Sequence, residues 1–266
     1  MSNSKQVYKS QGNVSLFDIE ETMEILNAMG NPLEKLSKVI DFEIFREILE
    51  SNLQKERLTN AGARPYDPVL MFKVLIIQRM YNLGDKQTEF QIRDRISFRD
   101  FLGLASGDKV PDEKTIWLFR ENLIKKHVFE QLFDEFYQLL ESKHMIMNVG
   151  TIIDGSFVEV PRQRNSREEN KLIKEGKSDM RKHNMKDRVI KRNVKGKKIS
   201  KRQETINRNN SKIRVRVEHA FGYCEGSMHS ISSRLVGFVR NAAFIIFTNL
   251  VYNMNRYEQI LRLGMN

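Results

Sequence analysis

Cysteine is nearly absent: Cys224 stands alone in 266 residues, so no intrachain disulfide can staple this fold and an ordinary packed core has to hold it. A lone thiol fits a reducing compartment. Long hydrophobic runs are missing as well, since the most apolar stretch, near AAFIIFTNLVYNM, is about half of the ~20 residues that cross a bilayer. The opening MSNSKQVYKSQGNVSL has no apolar centre of the length a secretory signal needs. These gaps leave a soluble protein of the cell interior, with no membrane partner, as the expectation.

Acidic residues are scarce in one region only. Between Arg162 and Arg216 there are 21 Lys/Arg against 6 Asp/Glu, which leaves 24 against 28 for the rest of the chain. The formal charge of +11 therefore resides in one block, the pattern of a polyanion partner with nucleic acid first, or of a solvated lysine-rich loop. Elsewhere the composition is ordinary. With 40% apolar residues the chain can bury a sizeable core.

From Ser15 to Lys143 the apolar spacing is helical, as in Phe42, Phe45, Ile48, Leu49 and Leu53, and no sheet is suggested. In DPVLMFKVLIIQRMYNLG, Asp67 suits an N-cap, Pro68 the first turn and Gly84 the far side of the end. PDEKTIWLFRENLIKK carries Pro111 and two acids at its start and two lysines at its finish, as the helix dipole favours. QTEFQIRDRISF and PDEKTIWLFRENL flank the turn LGLASGDK, an order that fits a helix-turn-helix DNA reader and equally a plain small bundle. Trp117 is expected in the core.

The texture changes after Lys143. MIMNVGTIIDGSFVEV is a continuous β-favouring run, read as a buried strand that Pro161 stops. The polar, basic residues that follow have almost no apolar periodicity and cannot build a core by themselves. From Ile213 onward IRVRVEHAFGYCEGSMHSI and VRNAAFIIFTNLVYNMNRYEQILRL resume helical spacing and are expected to pack back on the strand.

Two carboxylates stand out. Asp154 closes an apolar strand, where a fixed backbone and an open end suit a divalent-cation ligand, although strand-end aspartates also serve as turn and cap residues. Glu218 falls on an expected helix four residues after Arg214, the spacing of an ordinary Arg–Glu pair.

IIDGSFVEVPRQRNSREENKLIKEG and NRNNSKIRVRVEHAFGYCEGSM resemble the first and last catalytic blocks of DDE-type transposases of bacterial insertion sequences, specifically the insertion-sequence-five family. YDPVLMFKVLIIQRMYNLGDKQTEFQIRDRISFRDFLGLASGDKVPDEKTIWLFRENL is similar to the helical domain that precedes the core there, and VRNAAFIIFTNLVYNMNRY to the closing helix. Nearly the whole chain is covered. The resemblance implies an RNase H-like core in which Asp, Asp and Glu hold two Mg²⁺ or Mn²⁺ ions for cutting DNA and joining its 3′ end to a target. Asp154 matches the first Asp, Glu218 the Glu, and Arg214 the Arg before it.

The middle Asp has no match. Family members carry it after further strands, in a Tyr-Ala-Asp-Ser-Ala-Tyr-like setting that does not occur here; Asp179 and Asp187 fall at the join without a β-favouring run before them. Something over a hundred residues of the family pattern are missing between about Gly176 and Met185. The expected fold is therefore mainly α: a helical domain over 1–143 for DNA-end binding, then a truncated RNase H-like α/β remnant over 144–266 with two or so strands, Thr151–Val160 and Arg188–Ile190. With two carboxylates left, metal binding should be weak or lost and phosphoryl transfer with it. DNA, as terminal inverted repeats and target, is the expected partner, touched by Arg162, Arg164, Arg167, Lys197, Lys198, Lys201, Arg202, Lys212 and Arg216; self-association is left open, and the implied location is cytoplasmic, at a bacterial nucleoid. The function implied is that of an insertion-sequence transposase, here an internally deleted and catalytically defective copy; the alternative is a non-catalytic DNA-binding derivative acting as repressor or inhibitor.

Overall fold

The computed structural model describes residues 17–53, 64–105, 107–145, 200–228 and 233–264, the side chains of 203, 210 and 212–221 aside. Every regular element among them is helical: α1 (Asp18–Ala28), α2 (Pro32–Val39), a 3-10 turn (Phe42–Phe45), α3 (Arg46–Leu53), α4 (Pro68–Met80), α5 (Asp85–Asp94), α6 (Ile96–Leu102), α7 (Glu113–Lys125), α8 (Val128–Ser142), α9 (Lys201–Gly226) and α10 (Phe238–Leu263). The expected strands at 151–160 and 188–190 lie outside the described residues.

Local chemistry fixes the helix starts. Asp67 caps α4, its carboxylate accepting from the Val69 and Leu70 amides at 2.8 and 3.0 Å, with Pro68 in the first turn. Asn31 does the same for α2 through the Leu33 amide, ahead of Pro32. Asp112 caps α7 through the Thr115 amide at 2.7 Å, so Pro111 stands just before the helix rather than inside it. These caps satisfy amides that have no intrahelical acceptor. At the far end of α4 the left-handed residue is Asn82, with φ 49°, while Gly84 serves as the N-cap of α5.

α4 is the centre of the molecule. Val69, Met71, Phe72, Val74, Leu75, Ile76 and Ile77 are all buried, the mark of a helix with neighbours on every side. It packs against α3, α5, α6, α7 and α10. α10 contributes Leu250, Val251 and Met254, each without exposure, and places Phe247 4.9 Å from Phe129 and 6.1 Å from Phe72, ring to ring. Tyr257 meets Phe136 edge-on at 6.0 Å. The described contacts of α10 are thus with helices of the first 143 residues and with α9.

One expectation needs correction. Trp117 is 48% exposed, with Leu118 beside it at the same value: the buried side of α7 carries Ile116, Leu123 and Ile124 instead. The end of the basic stretch is helical, because α9 begins at Lys201, before the apolar spacing that resumes at Ile213. Lys, Arg, Gln and Glu form helices readily without any apolar stripe, and Tyr223 anchors the far end of α9 by an edge contact to Tyr252 at 5.7 Å.

Candidate functional site

α9 carries most of the described candidates. Lys201 and Arg202 are exposed in its first turn and Arg208 two turns on. Lys212, Arg214, Arg216 and Glu218 follow on the same unbroken helix. At 100° per residue, Lys201, Arg208, Lys212 and Arg216 share one face within about 80°, a basic stripe roughly 22 Å long. Arg214 and Glu218, one turn apart as expected, occupy a different face by the same register. Asp154, Arg162, Arg164, Arg167, Lys197 and Lys198 lie outside the described residues, as do Asp179 and Asp187, so the separation of Asp154 from Glu218 does too.

The helix-turn-helix order expected from the sequence is present as α5, α6 and α7, with α5 packed on both of the others. Its open groove between α5 and α7 is lined by Lys86, Arg93 and Lys114 but also by Glu89, Asp112 and Glu113. Glu89 is occupied internally, accepting from Arg93 and from the Glu113 amide, both at 2.9 Å. Three charges of each sign make a poor field for a polyanion. The stripe on α9 has no such balance: among residues 201–216 there are six Lys/Arg and one acid, Glu204.

A second feature has no precursor in the sequence reading. The end of α4, one side of α7 and the run from Arg234 into α10 enclose a cavity of about 450 Å³. Asp85 and Arg120 meet there in a two-pronged ion pair at 2.5 and 2.9 Å, and Gln78 donates to Asp85 at 2.7 Å while accepting from Arg120 at 3.1 Å. Burial alone would raise the Asp85 carboxyl; the Arg120 guanidinium and Gln78 amide outweigh it and hold the carboxyl below its ordinary value. Glu121, 3% exposed, is likewise met by Arg240 at 2.8 Å.

Among the described residues Arg79 has no such carboxylate. It is 5% exposed; its Nη2 donates to the Met228 carbonyl at 2.6 Å, its guanidinium lies 4.4 Å from the Phe244 ring centre, and its Nε has no acceptor among the described residues. Burial pushes it down to about 10, with Cys224 opposing and the charge of Arg234 adding to the fall. The only sequence trace of this site is a cation near the end of the apolar run VLMFKVLIIQR, which spacing alone reads as surface.

A divalent cation of the kind Asp154 and Glu218 would hold needs a gathered set of oxygen donors. Among the described residues no group of three or more His, Cys, Asp or Glu is gathered to hold one. The acids of the cavity are already committed to arginines. No helix among the described residues is long and apolar enough to cross a membrane.

Comparison with known families gives two matches. Residues 20–122, covering α1 to most of α7, match the family described as Transposase domain (DUF772). Residues 170–254, which include α9 with Glu218 and much of α10, match the Transposase DDE domain. No solved structure matches the chain.

Proposed function

The chain belongs to the DDE-type transposases, and we propose that it is an internally deleted member of the insertion-sequence-five group that binds DNA but does not cut it. The basic stripe of α9 carries this reading. Four cations on one helical face, within a segment that carries 21 Lys/Arg against 6 Asp/Glu, suit a row of backbone phosphates. Lys201, Arg202, Lys212 and Arg216 belong to that surface, with Arg162, Arg164, Arg167, Lys197 and Lys198 as its continuation.

Transposases of this kind generally use divalent metal ions. In the proposed reading Asp154 and Glu218 are the surviving ligands, Mg²⁺ or Mn²⁺ is the cation, and Arg214 neighbours it. Two carboxylates facing two divalent ions leave a large uncompensated positive charge, so the ions lose both affinity and spacing. Support comes from the sequence, in which no acid follows the strand pattern that carries the middle Asp; the family match covers Glu218 but begins at residue 170, beyond Asp154.

The test combines two measurements on the full chain. Labelled duplex DNA is titrated by fluorescence anisotropy over a range of salt; with about five phosphates engaged, log affinity falls against log salt with a slope of roughly −4 to −5. The same DNA, carrying the ends of the element, is incubated with Mn²⁺ and scored for nicks, of which none are expected. A salt slope near zero overturns the binding half, and metal-dependent nicking overturns the silent half.

A further inference from the structure

Four arginines line the cavity between α4, α7 and the run into α10, against two acids. Arg120 is matched by Asp85 and Arg240 by Glu121. Among the described residues Arg79 and Arg234 are left over. A buried guanidinium without an anion is expensive to keep, and the contacts of Arg79 with a carbonyl and a ring supply only partial compensation.

Arg234 sits beside it for a legible reason. Its Nη1 lies 3.2 Å from where a Cβ on Gly84 would stand, so the missing side chain of Gly84 makes room for the guanidinium at the cavity rim. Arg234 is exposed and its positive charge is felt at both Arg79 and Asp85. One cation at the wall and a second at the mouth, with two net positive charges between them, form a receptor for an oxyanion.

We propose that this cavity binds a tetrahedral phosphate through Arg79 and Arg234, the phosphate being either free or part of a DNA backbone. Arg79 offers donors already fixed by the Met228 carbonyl and the Phe244 ring, so little ordering is needed on binding. Arg234 closes over the oxyanion from the exposed side. The site is separate from the stripe on α9 and does not depend on it.

The experiment uses the full chain in two arms. In the first, thermal unfolding is followed with inorganic phosphate replacing chloride at constant ionic strength; the wild type gains a saturable rise in Tm, and Arg234→Gln loses at least about ten-fold in phosphate affinity, the change expected when one charge-assisted partner is removed. Arg79→Met is the second variant, expected to abolish the rise; since Arg234 is exposed, Arg234→Gln remains informative if Arg79→Met does not fold. No rise specific to phosphate, or a rise that Arg234→Gln leaves intact, overturns the site. In the second arm, Arg234→Gln is titrated with DNA: a salt slope shallower by about one unit assigns the phosphate to a DNA backbone, whereas an unchanged slope with the first arm positive assigns it to free phosphate. Failure of the α9 stripe would appear instead as a wild-type slope near zero, which leaves the first arm untouched.

Discussion

Removing the Asp85 carboxylate tests whether charge pairing holds α5 against α7. In Asp85→Asn the bidentate acceptor of Arg120 is gone, and the guanidinium stays where its Nε already lacks a partner among the described residues. Breaking a fully buried ion pair from one side costs about 3–5 kcal/mol, and a fully exposed one about 0–1 kcal/mol. Here Arg120 is 14% and Asp85 24% exposed, so an intermediate loss of about 2–3 kcal/mol is expected, or about 5–10 °C in Tm for a domain of this size. Urea unfolding of Asp85→Asn, Arg120→Met and the double variant should show strong coupling: the double variant loses less than the sum of the singles by about 1.5–2 kcal/mol. The sign with pH is fixed as well. Because the folded carboxyl titrates below its ordinary value, its contribution is present above about pH 4, the unfolded value, and is lost as pH falls through the lower folded value. The gap between wild type and Asp85→Asn should therefore close in acid. A coupling under about 0.5 kcal/mol, or a gap that does not change with pH, would refute the reasoning and class the pair with screened surface contacts.

Changing Lys201, Arg208, Lys212 and Arg216 together to Gln should make the DNA salt slope shallower by about three to four units, and an unchanged slope in anisotropy titrations would remove the stripe from the interface. Asp154→Ala and Glu218→Ala are each expected to keep DNA affinity within a few fold and to alter no cleavage; nicking that vanishes with Asp154→Ala would reveal a completed metal site. Gly237, at φ 102° and ψ 150°, holds a backbone conformation reserved for glycine, so Gly237→Ala should cost about 1–3 kcal/mol in urea unfolding, and a loss below about 0.5 kcal/mol would show that the turn into α10 relaxes freely.

What could be read from the sequence was local. Asp67 and Pro68 announce α4 because capping depends on a few neighbouring atoms, and the acids after Pro111 announce α7 through the helix dipole, although the cap at Asp112 itself was not read. Glu218 on a helix one turn from Arg214 was legible for the same reason. The start of α9 was hidden, since a run such as KRQETINRNNSK has helix formers but no apolar rhythm to mark a boundary. Trp117 went astray because periodicity reveals that a helix has two sides without saying which large residue is left out of the core. Arg79 was illegible for a deeper reason: its burial depends on Met228 and Phe244, 149 and 165 residues away along the chain, and no short-range pattern encodes such a meeting.

The packing of α10 on the first helices also sets a timetable for biosynthesis. Phe72, Phe129 and Phe136 leave the ribosome well before Phe247 and Tyr257, the rings that cover them. Between Phe136 and Tyr257 lie 121 positions (257 minus 136), which at about 5–20 residues per second is a wait of roughly 6–24 s. Throughout that interval the nascent bundle has an open aromatic groove, a surface that chaperones bind and that other nascent chains can stick to. The number of residues spelled out between α8 and α10 is thus a clock on exposure, and any change in that number alters how long each newly made molecule is at risk before its own last helix closes it.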